Sequence, residues 1–432
     1  MGMNVDELRK MLYDMAKAEP KRKFHSLYDK VCGMDVLREA WVSVRNNHGS
    51  PGVDGMSIED AERESDAILA VLRADLMKGR YRPSPLKRVY IPKSNGKKRG
   101  LAIPTVRDRI VQAALKIVIE PIFETQFEPY SYGFRPNKSA HNAVNEVAKY
   151  LNYGCEHVID ADIMGCFDNI PRNRLMEQIS KRISDGSVLK LIRVILDTGI
   201  MEDGEIVNTE KGTPQGSPLS PLLANIFLDQ LDKKWKFSGL TRGRGVDAHL
   251  IRYADDIVIV VGGDAQRAMD KFSEIISSLG LQLSEEKTRV VDSGKGFDFL
   301  GFHFVRKFSP RKGKKIARWF PSNKSENSIR ERIRKVTDRN RIVATPPERA
   351  REILIPVLRG WGTYFSYSTD ASRLHNIWDY AQVRLMRMYC NQHNIRSEWR
   401  YSDIGKRHLS LMGCFPEMLF SRSHKPYRES SR

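Results

Sequence analysis

Three aspartates pose the chemical question in this 432-residue chain. Asp162 ends the run EHVIDADI (Glu156 to Ile163), where apolar and acidic residues alternate as in a half-buried strand. Asp255 and Asp256 stand together within HLIRYADDIVIVV, from His249 to Val261, between two apolar runs that read as a hairpin with carboxylates at its tip. Adjacent carboxylates repel, and exposing both at the end of a buried sheet is costly unless something positive sits there. A divalent cation removes that cost. Carboxylates from two strands can bridge two Mg2+ ions about 4 Å apart, which activates a 3′ hydroxyl and stabilises a leaving pyrophosphate in nucleotidyl transfer. Taken alone, Asp255-Asp256 is better explained as the two-residue corner of a type I′ turn. Its surroundings reverse that preference.

A nucleotidyl transferase must grip a triphosphate, and the stretch LKRVYIPKSNGKKRGLAIP, ending at Pro104, reads as a basic hairpin around Ser94-Asn95-Gly96 that offers Lys93, Lys97, Lys98 and Arg99. The Gly/Pro loop from Gly212 to Pro218 carries an amide, Gln215, suited to packing beneath a base pair. Phe167, five residues after Asp162, is placed to sit against a sugar, where an aromatic ring excludes a 2′ hydroxyl.

The elements that must position these residues follow from periodicity. Helical spacing covers residues 106–128, interrupted by Pro121, and residues 139–152, 171–198, 219–236 and 265–280; short strands follow over 281–305. His48 to Gly55 is a cluster of turn formers and so a loop between helices. Arg306 to Arg318 reads as a basic linker without an acidic residue. An all-helical region comes next, opened by the capping box Thr345-Pro346-Pro347-Glu348, kinked at Pro356, and continued by a helix from about Thr369-Asp370.

Composition narrows the class. Residues 1–300 carry 44 basic and 42 acidic side chains, whereas residues 301–432 carry 28 and 11, so nearly all of the net charge of +19 lies in the last third. Such a block favours a polyanion, and nucleic acid is the commonest one. No apolar run approaches the roughly 18 residues of a spanning helix, which argues against a membrane protein, and the N-terminus has no export pattern. Five scattered cysteines without a CxxC pair indicate neither a disulfide framework nor a zinc module and fit a reducing compartment.

Taken in order, these segments resemble the reverse transcriptases encoded by group II introns. The residues that carry the resemblance are Ile91-Pro92-Lys93 to Arg99 with Gly100-Leu101-Ala102-Ile103-Pro104; Ser131-Tyr132-Gly133-Phe134-Arg135-Pro136; Asp162 to Phe167-Asp168; Thr213-Pro214-Gln215-Gly216-Ser217-Pro218-Leu219-Ser220-Pro221; Tyr253-Ala254-Asp255-Asp256; Leu283-Ser284-Glu285-Glu286-Lys287-Thr288; and Phe299-Leu300-Gly301-Phe302. The loop at His48 to Gly55 looks like the family's N-terminal extension, and Arg359-Gly360-Trp361-Gly362-Thr363-Tyr364-Phe365 looks like its maturase thumb, domain X.

The resemblance implies an α+β right-hand polymerase, with fingers and an antiparallel-sheet palm followed by an all-α thumb. The expected division is an N-terminal extension and start of the fingers over 1–80, fingers and palm over 81–305, the basic linker over 306–324, the helical thumb over 325–400, and a basic tail over 401–432 available to nucleic acid. By the same carry-over, Asp162, Ile163, Asp255 and Asp256 form the site for two Mg2+ ions, for which Mn2+ can substitute. Lys93, Arg99, Ile163, Phe167 and Gln215 meet the dNTP, with Phe167 as sugar gate and Gln215 beneath the nascent pair. Lys287 resembles the lysine that protonates pyrophosphate, a role open to any lysine near a departing polyphosphate. Asp160 and Asp168 flank the motif without matching a metal position.

The implied partners are intron RNA, an RNA template, a DNA primer or target DNA, and dNTPs, and the implied protein is a monomer or homodimer in a bacterial cytoplasm, associated with the nucleoid or a ribonucleoprotein. Two departures stand out. The loop has Ser217 where many intron enzymes have a second glycine, and no paired cysteines and histidines of an HNH nuclease follow, so DNA cleavage is not expected. Two other readings share the chemistry or the surface: an RNA-binding maturase whose polymerase site has lapsed, and a domesticated reverse transcriptase serving antiphage defence or DNA repair.

Overall fold

The computed structural model describes residues 4–92, 96, 98–241, 245–338 and 346–392. Lys93, Ser94, Asn95, Lys97, Thr345 and the tail after residue 392, all singled out above, lie outside the described residues. The strands in chain order are β1 (Leu86–Pro92), β2 (Lys98–Ile103), β3 (His157–Asp162), β4 (Ile200–Glu202), β5 (Glu205–Val207) and β6 (Val246–Tyr253). They continue with β7 (Asp256–Gly263), β8 (Arg289–Asp292), β9 (Phe297–Phe299), β10 (Phe302–Ser309) and β11 (Lys314–Pro321). Two compact units form, Met1–Ala143 with Ile159–Val290, and Val144–Val158 with Val291–Arg432.

In the first unit the helix Val106–Glu124 is buried on nearly every side, with Asp108, Arg109 and Gln112 among its buried residues, and so it packs among neighbouring helices rather than lying on a surface. Its N-cap Thr105 accepts from the Asp108 amide at 3.2 Å, and the Asp108 carboxylate is held in turn by the Tyr81 hydroxyl at 2.7 Å. Pro121, expected to interrupt this helix, falls in its last turn and costs one hydrogen bond without ending it.

The single helical stretch expected over 171–198 is two helices, Arg172–Ser180 and Gly186–Leu196. Asp185 causes the break. One carboxylate oxygen caps the second helix through the amides of Ser187 and Val188 (3.0 and 3.2 Å), and the other accepts from the amides of Leu27 and Tyr28 (2.8 and 2.9 Å).

The basic hairpin forms as expected, from Lys87↔Ile103 to Pro92↔Lys98, and β4 and β5, unmarked by the sequence pattern, extend it to the sheet order β2-β1-β4-β5. The sheet that carries the aspartates has the order β6-β7-β3-β8, with β6 and β7 antiparallel. Its central β7 reads Ile257, Val258, Ile259, Val260, Val261 with every residue buried, as a strand covered on both faces must be.

In the second unit, residues 306–318 are not a linker but belong to the paired strands β10 and β11, which with β9 form a three-stranded sheet. Lysines and arginines fill most outward positions there and mask the period-2 alternation. Beyond it, Asn323–Val336, Pro347–Phe365 and Ser372–Gln392 form a helical core around Ile333, Leu354, Leu358, Ile377 and Ala381. The helix Pro347–Phe365 contains Pro356 and starts after Pro346 without a side-chain cap. Among the described residues no helix is long and apolar enough to cross a membrane.

Candidate active site

The turn between β6 and β7 is one residue earlier than the dipeptide suggested. Tyr253 pairs with Asp256, so Ala254 and Asp255 are the corner and Asp256 begins β7. Ala254 takes φ 57°, and Asp255 is not among the positive-φ residues, which makes this a II′-like corner rather than a type I′ one. The two carboxylates therefore have different supports, one from a turn and one from a strand.

The left-handed Ala254 is held from both sides. Below it, Arg252 is fully buried and donates to the Ala254 carbonyl at 3.0 Å, to Asn225 Oδ1 at 2.9 Å and to Asp232 Oδ1 at 2.9 Å. Burial alone would push the guanidinium down, but the equally buried Asp232 carboxylate outweighs it and holds the pKa above the usual arginine value. Above the turn, the amide of Tyr132 donates to the Arg252 carbonyl at 2.8 Å, and Asn225 Nδ2 donates to the Gly133 carbonyl at 2.8 Å. Gly133 lies so close that a Cβ there would collide with the Ala254 backbone. Reasoning from sequence missed Arg252, Asn225 and Asp232 as parts of the site. The available signal was an arginine directly after the apolar pair Leu250-Ile251 and two residues before the turn, and an Asn and an Asp seven residues apart, two turns along one helix face.

Asp162 ends β3. Its carbonyl accepts from the Ser284 amide at 2.8 Å, the adjacent Ile163 bridges Leu283, and Lys287 Nζ lies 2.9 Å from Asp162 Oδ2. The segment carrying Lys287 is thus fastened alongside the strand carrying Asp162. Asp160 pairs with Arg289 at 3.5 Å.

Burial raises the Asp255 carboxyl, and the Asp162 charge raises it further while Arg99 opposes the shift. Asp256 keeps an exposed edge but sits in a cleft of like charges. Burial first, then Asp255, Asp162 and Asp160, push it up to about 6, against the pull of Arg99. Three carboxylates in one electrostatic neighbourhood are a site short of positive charge.

Arg99 closes the other side. Its Nε donates to Gln215 Oε1 at 2.7 Å, and Gln215 Nε2 donates to Asp168 Oδ2 at 3.3 Å. The Gln215 loop is locked to the basic hairpin by the Ala102 amide on the Gln215 carbonyl (2.8 Å), and Gly216, at φ 120°, passes so near Ala102 that a Cβ would lie 2.9 Å from its carbonyl oxygen. The same loop bonds to the Phe167 turn through Thr213 N to Phe167 O at 2.8 Å. Phe167 is 8% exposed, a wall residue rooted in the main core. Of the residues named from sequence, the structure thus links Asp162 to Lys287, places Asp255 and Asp256 side by side, and joins Arg99 to Gln215. Lys93 lies outside the described residues.

The donors suit a hard cation, being carboxylate oxygens with backbone carbonyls at hand. Among the described residues no three His, Cys, Asp or Glu side chains close on one ion by themselves. That is compatible with Mg2+, which takes one or two carboxylates and fills its other positions with water and substrate phosphate.

Comparison with known proteins identifies the family. A family model described as reverse transcriptase (RNA-dependent DNA polymerase) matches residues 91–304, and the group II intron, maturase-specific domain matches residues 326–406. Protein YkfC of Escherichia coli K12 is 32% identical over 360 residues, covering 75% of this chain and 94% of that protein. The group II intron-encoded protein LtrA of Lactococcus lactis is 31% identical over 339 residues, covering 65% of this chain and 56% of its own length. A putative COX1/OXI3 intron 2 protein of Saccharomyces cerevisiae is 32% identical over 289 residues, covering 55% of this chain and 34% of its own. The chain therefore spans nearly all of the first relative and about half or less of the two intron proteins.

Proposed function

The chain belongs to the group II intron reverse transcriptases with a maturase domain, and from that premise we propose that it copies RNA into DNA by two-metal nucleotidyl transfer and binds intron RNA as a splicing maturase. The observation that carries the reading is the convergence of Asp162, Asp255 and Asp256 on one charged cleft that feels Arg99, with the corner anchored on Arg252.

Asp162, Asp255 and Asp256 would hold Mg2+, with Ile163 contributing through its backbone carbonyl because its side chain has no donor. When bound, Mg2+ activates the primer 3′ hydroxyl and neutralises charge on the leaving pyrophosphate. The chain's own residues supply the rest. Arg99 exchanges its Gln215 partner for the triphosphate, Gln215 underlies the new pair, and Phe167 blocks a 2′ hydroxyl. Lys287, already at the rim beside Asp162, delivers a proton to the oxygen that bridged the α- and β-phosphates as the bond from the α-phosphorus to the primer oxygen forms and the bond from the α-phosphorus to that bridging oxygen breaks, the primer hydroxyl proton passing to solvent. Lys93 is assigned to the triphosphate on the resemblance.

The test is extension of a DNA primer on an RNA template with dNTPs and Mg2+, in wild type and Asp255→Ala/Asp256→Ala, repeated with rNTPs. Extension with dNTPs that vanishes in the double variant supports the polymerase. No extension by wild type, with salt-sensitive RNA binding retained, favours the second reading, an RNA-binding maturase, for which the net charge of +17 over residues 301–432 speaks independently.

A further inference from the structure

The strands β10 and β11 pair from Phe302↔Pro321 to Ser309↔Lys314, with Lys307↔Ile316 and Val305↔Arg318 between. Side chains alternate across a strand, so Lys307, Lys314 and Arg318 share one face. Lys314 and Arg318 are the two diagonal neighbours of Lys307, roughly 7–8 Å away in antiparallel geometry. All three are exposed. The opposite face treats its cations differently: Arg306 lies 3.1 Å and Lys315 4.0 Å from Glu156. Among the described residues Lys307, Lys314 and Arg318 have no such carboxylate, and the sequence holds no acidic residue between Asp298 and Glu326. The turn adds exposed Arg311 and Lys312, and Phe308, 61% exposed, stands near the same tip.

Like charges side by side on a sheet destabilise it. A face that only kept the protein soluble would intersperse acids, as the helix Asn323–Val336 does with Glu326 and Glu331 among its cations. Here the repulsion is built into paired strands that cannot splay. The diagonal spacing is about two steps of a nucleic-acid strand, whose charges recur roughly every 3.4 Å along the axis. We propose that this face of β10 and β11 docks on the phosphodiester backbone of a nucleic acid, each of the three cations meeting a phosphate. The inference deepens the RNA-binding part of the proposed function by naming a surface, and it does not depend on polymerase chemistry.

The experiment uses the full chain and measures its affinity for a short RNA duplex and for a DNA duplex of the same sequence across a range of KCl. The variant Lys307→Gln/Lys314→Gln/Arg318→Gln should lower the slope of log affinity against log salt by about 0.9 per lost contact, near 2–3 in all, and weaken binding roughly 10- to 100-fold at moderate salt. Its melting temperature should equal or exceed that of wild type, since repulsion is relieved. The charge-keeping variant Lys307→Arg/Lys314→Arg/Arg318→Lys should bind as wild type. Loss on RNA alone identifies RNA as the partner, and equal loss on both identifies the shared backbone; either supports the proposal. An unchanged slope in the glutamine variant overturns it, as does equal loss of binding in the charge-keeping variant. Primer extension by wild type, run in parallel, reports on the polymerase reading separately.

Discussion

Replacing Arg252 with Met tests whether the carboxylate corner is held from beneath. Arg252 and Asp232 are both 0% exposed, so the change leaves a buried carboxylate without its partner, a loss of about 3–5 kcal/mol. The Ala254 and Asn225 oxygens lose their donor as well, at roughly 1–3 kcal/mol each when buried and unpaired, though effects within one network do not simply add. A destabilisation of at least about 4 kcal/mol is expected, a large share of the roughly 5–15 kcal/mol that holds a typical domain. Urea unfolding followed by circular dichroism measures it. The companion variant, Arg252→Met/Asp232→Leu, removes both charges and should recover the roughly 3–5 kcal/mol of the uncompensated carboxylate, because an apolar pair of similar volume replaces a buried ion pair at little cost, while the unpaired Ala254 and Asn225 oxygens keep theirs. Its extension rate should nevertheless remain roughly tenfold or more below wild type, since the Ala254 carbonyl has lost its anchor and misplaced reacting groups are costly. Arg252→Lys keeps the charge and serves if the Met variant does not fold. Loss of less than 1 kcal/mol in Arg252→Met, or full recovery of the extension rate in the double variant, would refute the reasoning.

Gly133→Ala drives a methyl into the Ala254 backbone and should cost about 1–3 kcal/mol in urea unfolding, with extension falling more than the stability loss explains. Asp256, raised from 3.8 to about 6, binds its proton more tightly folded than unfolded, so its contribution to the metal-free protein's stability falls as pH rises from about 4 to 6 and stays low above; Asp256→Asn should therefore raise the melting temperature at pH 8 and change it little at pH 4. If the melting shift is the same at both pH values, the cleft does not perturb this carboxyl. Phe167→Val should raise rNTP incorporation relative to dNTP by roughly tenfold or more in primer extension, with unchanged discrimination arguing against a sugar gate.

The aspartates were readable in the sequence because a period-2 pattern ending in acid has few explanations, and because Asp255-Asp256 lies between apolar runs. Their support was not. Asn225 and Asp232 lie 27 and 20 residues from Arg252, on a helix whose pattern reads as core, and only folding shows that the core there is polar. The corner was displaced by one residue because Asp-Asp favours a turn locally, whereas the Tyr253–Asp256 pairing and the covering Gly133 segment impose another register. β10 and β11 went unread for a different reason: alternation of hydrophobicity is the signal for a strand, and cations occupying Arg306, Lys307, Lys314, Lys315 and Arg318 erase it.

The buried Arg252–Asp232 pair also bears on how the protein assembles. Neither charge can enter the interior before the other without a penalty of several kcal/mol, so the helix Ser220–Phe237 and the β6–β7 hairpin must dock in a single event. Their backbone amides should exchange with solvent through one shared opening reaction, as a single cooperative unit. The segment Tyr130–Gly133, fastened to that unit by Tyr132, Arg252 and Asn225, should open with it or before it.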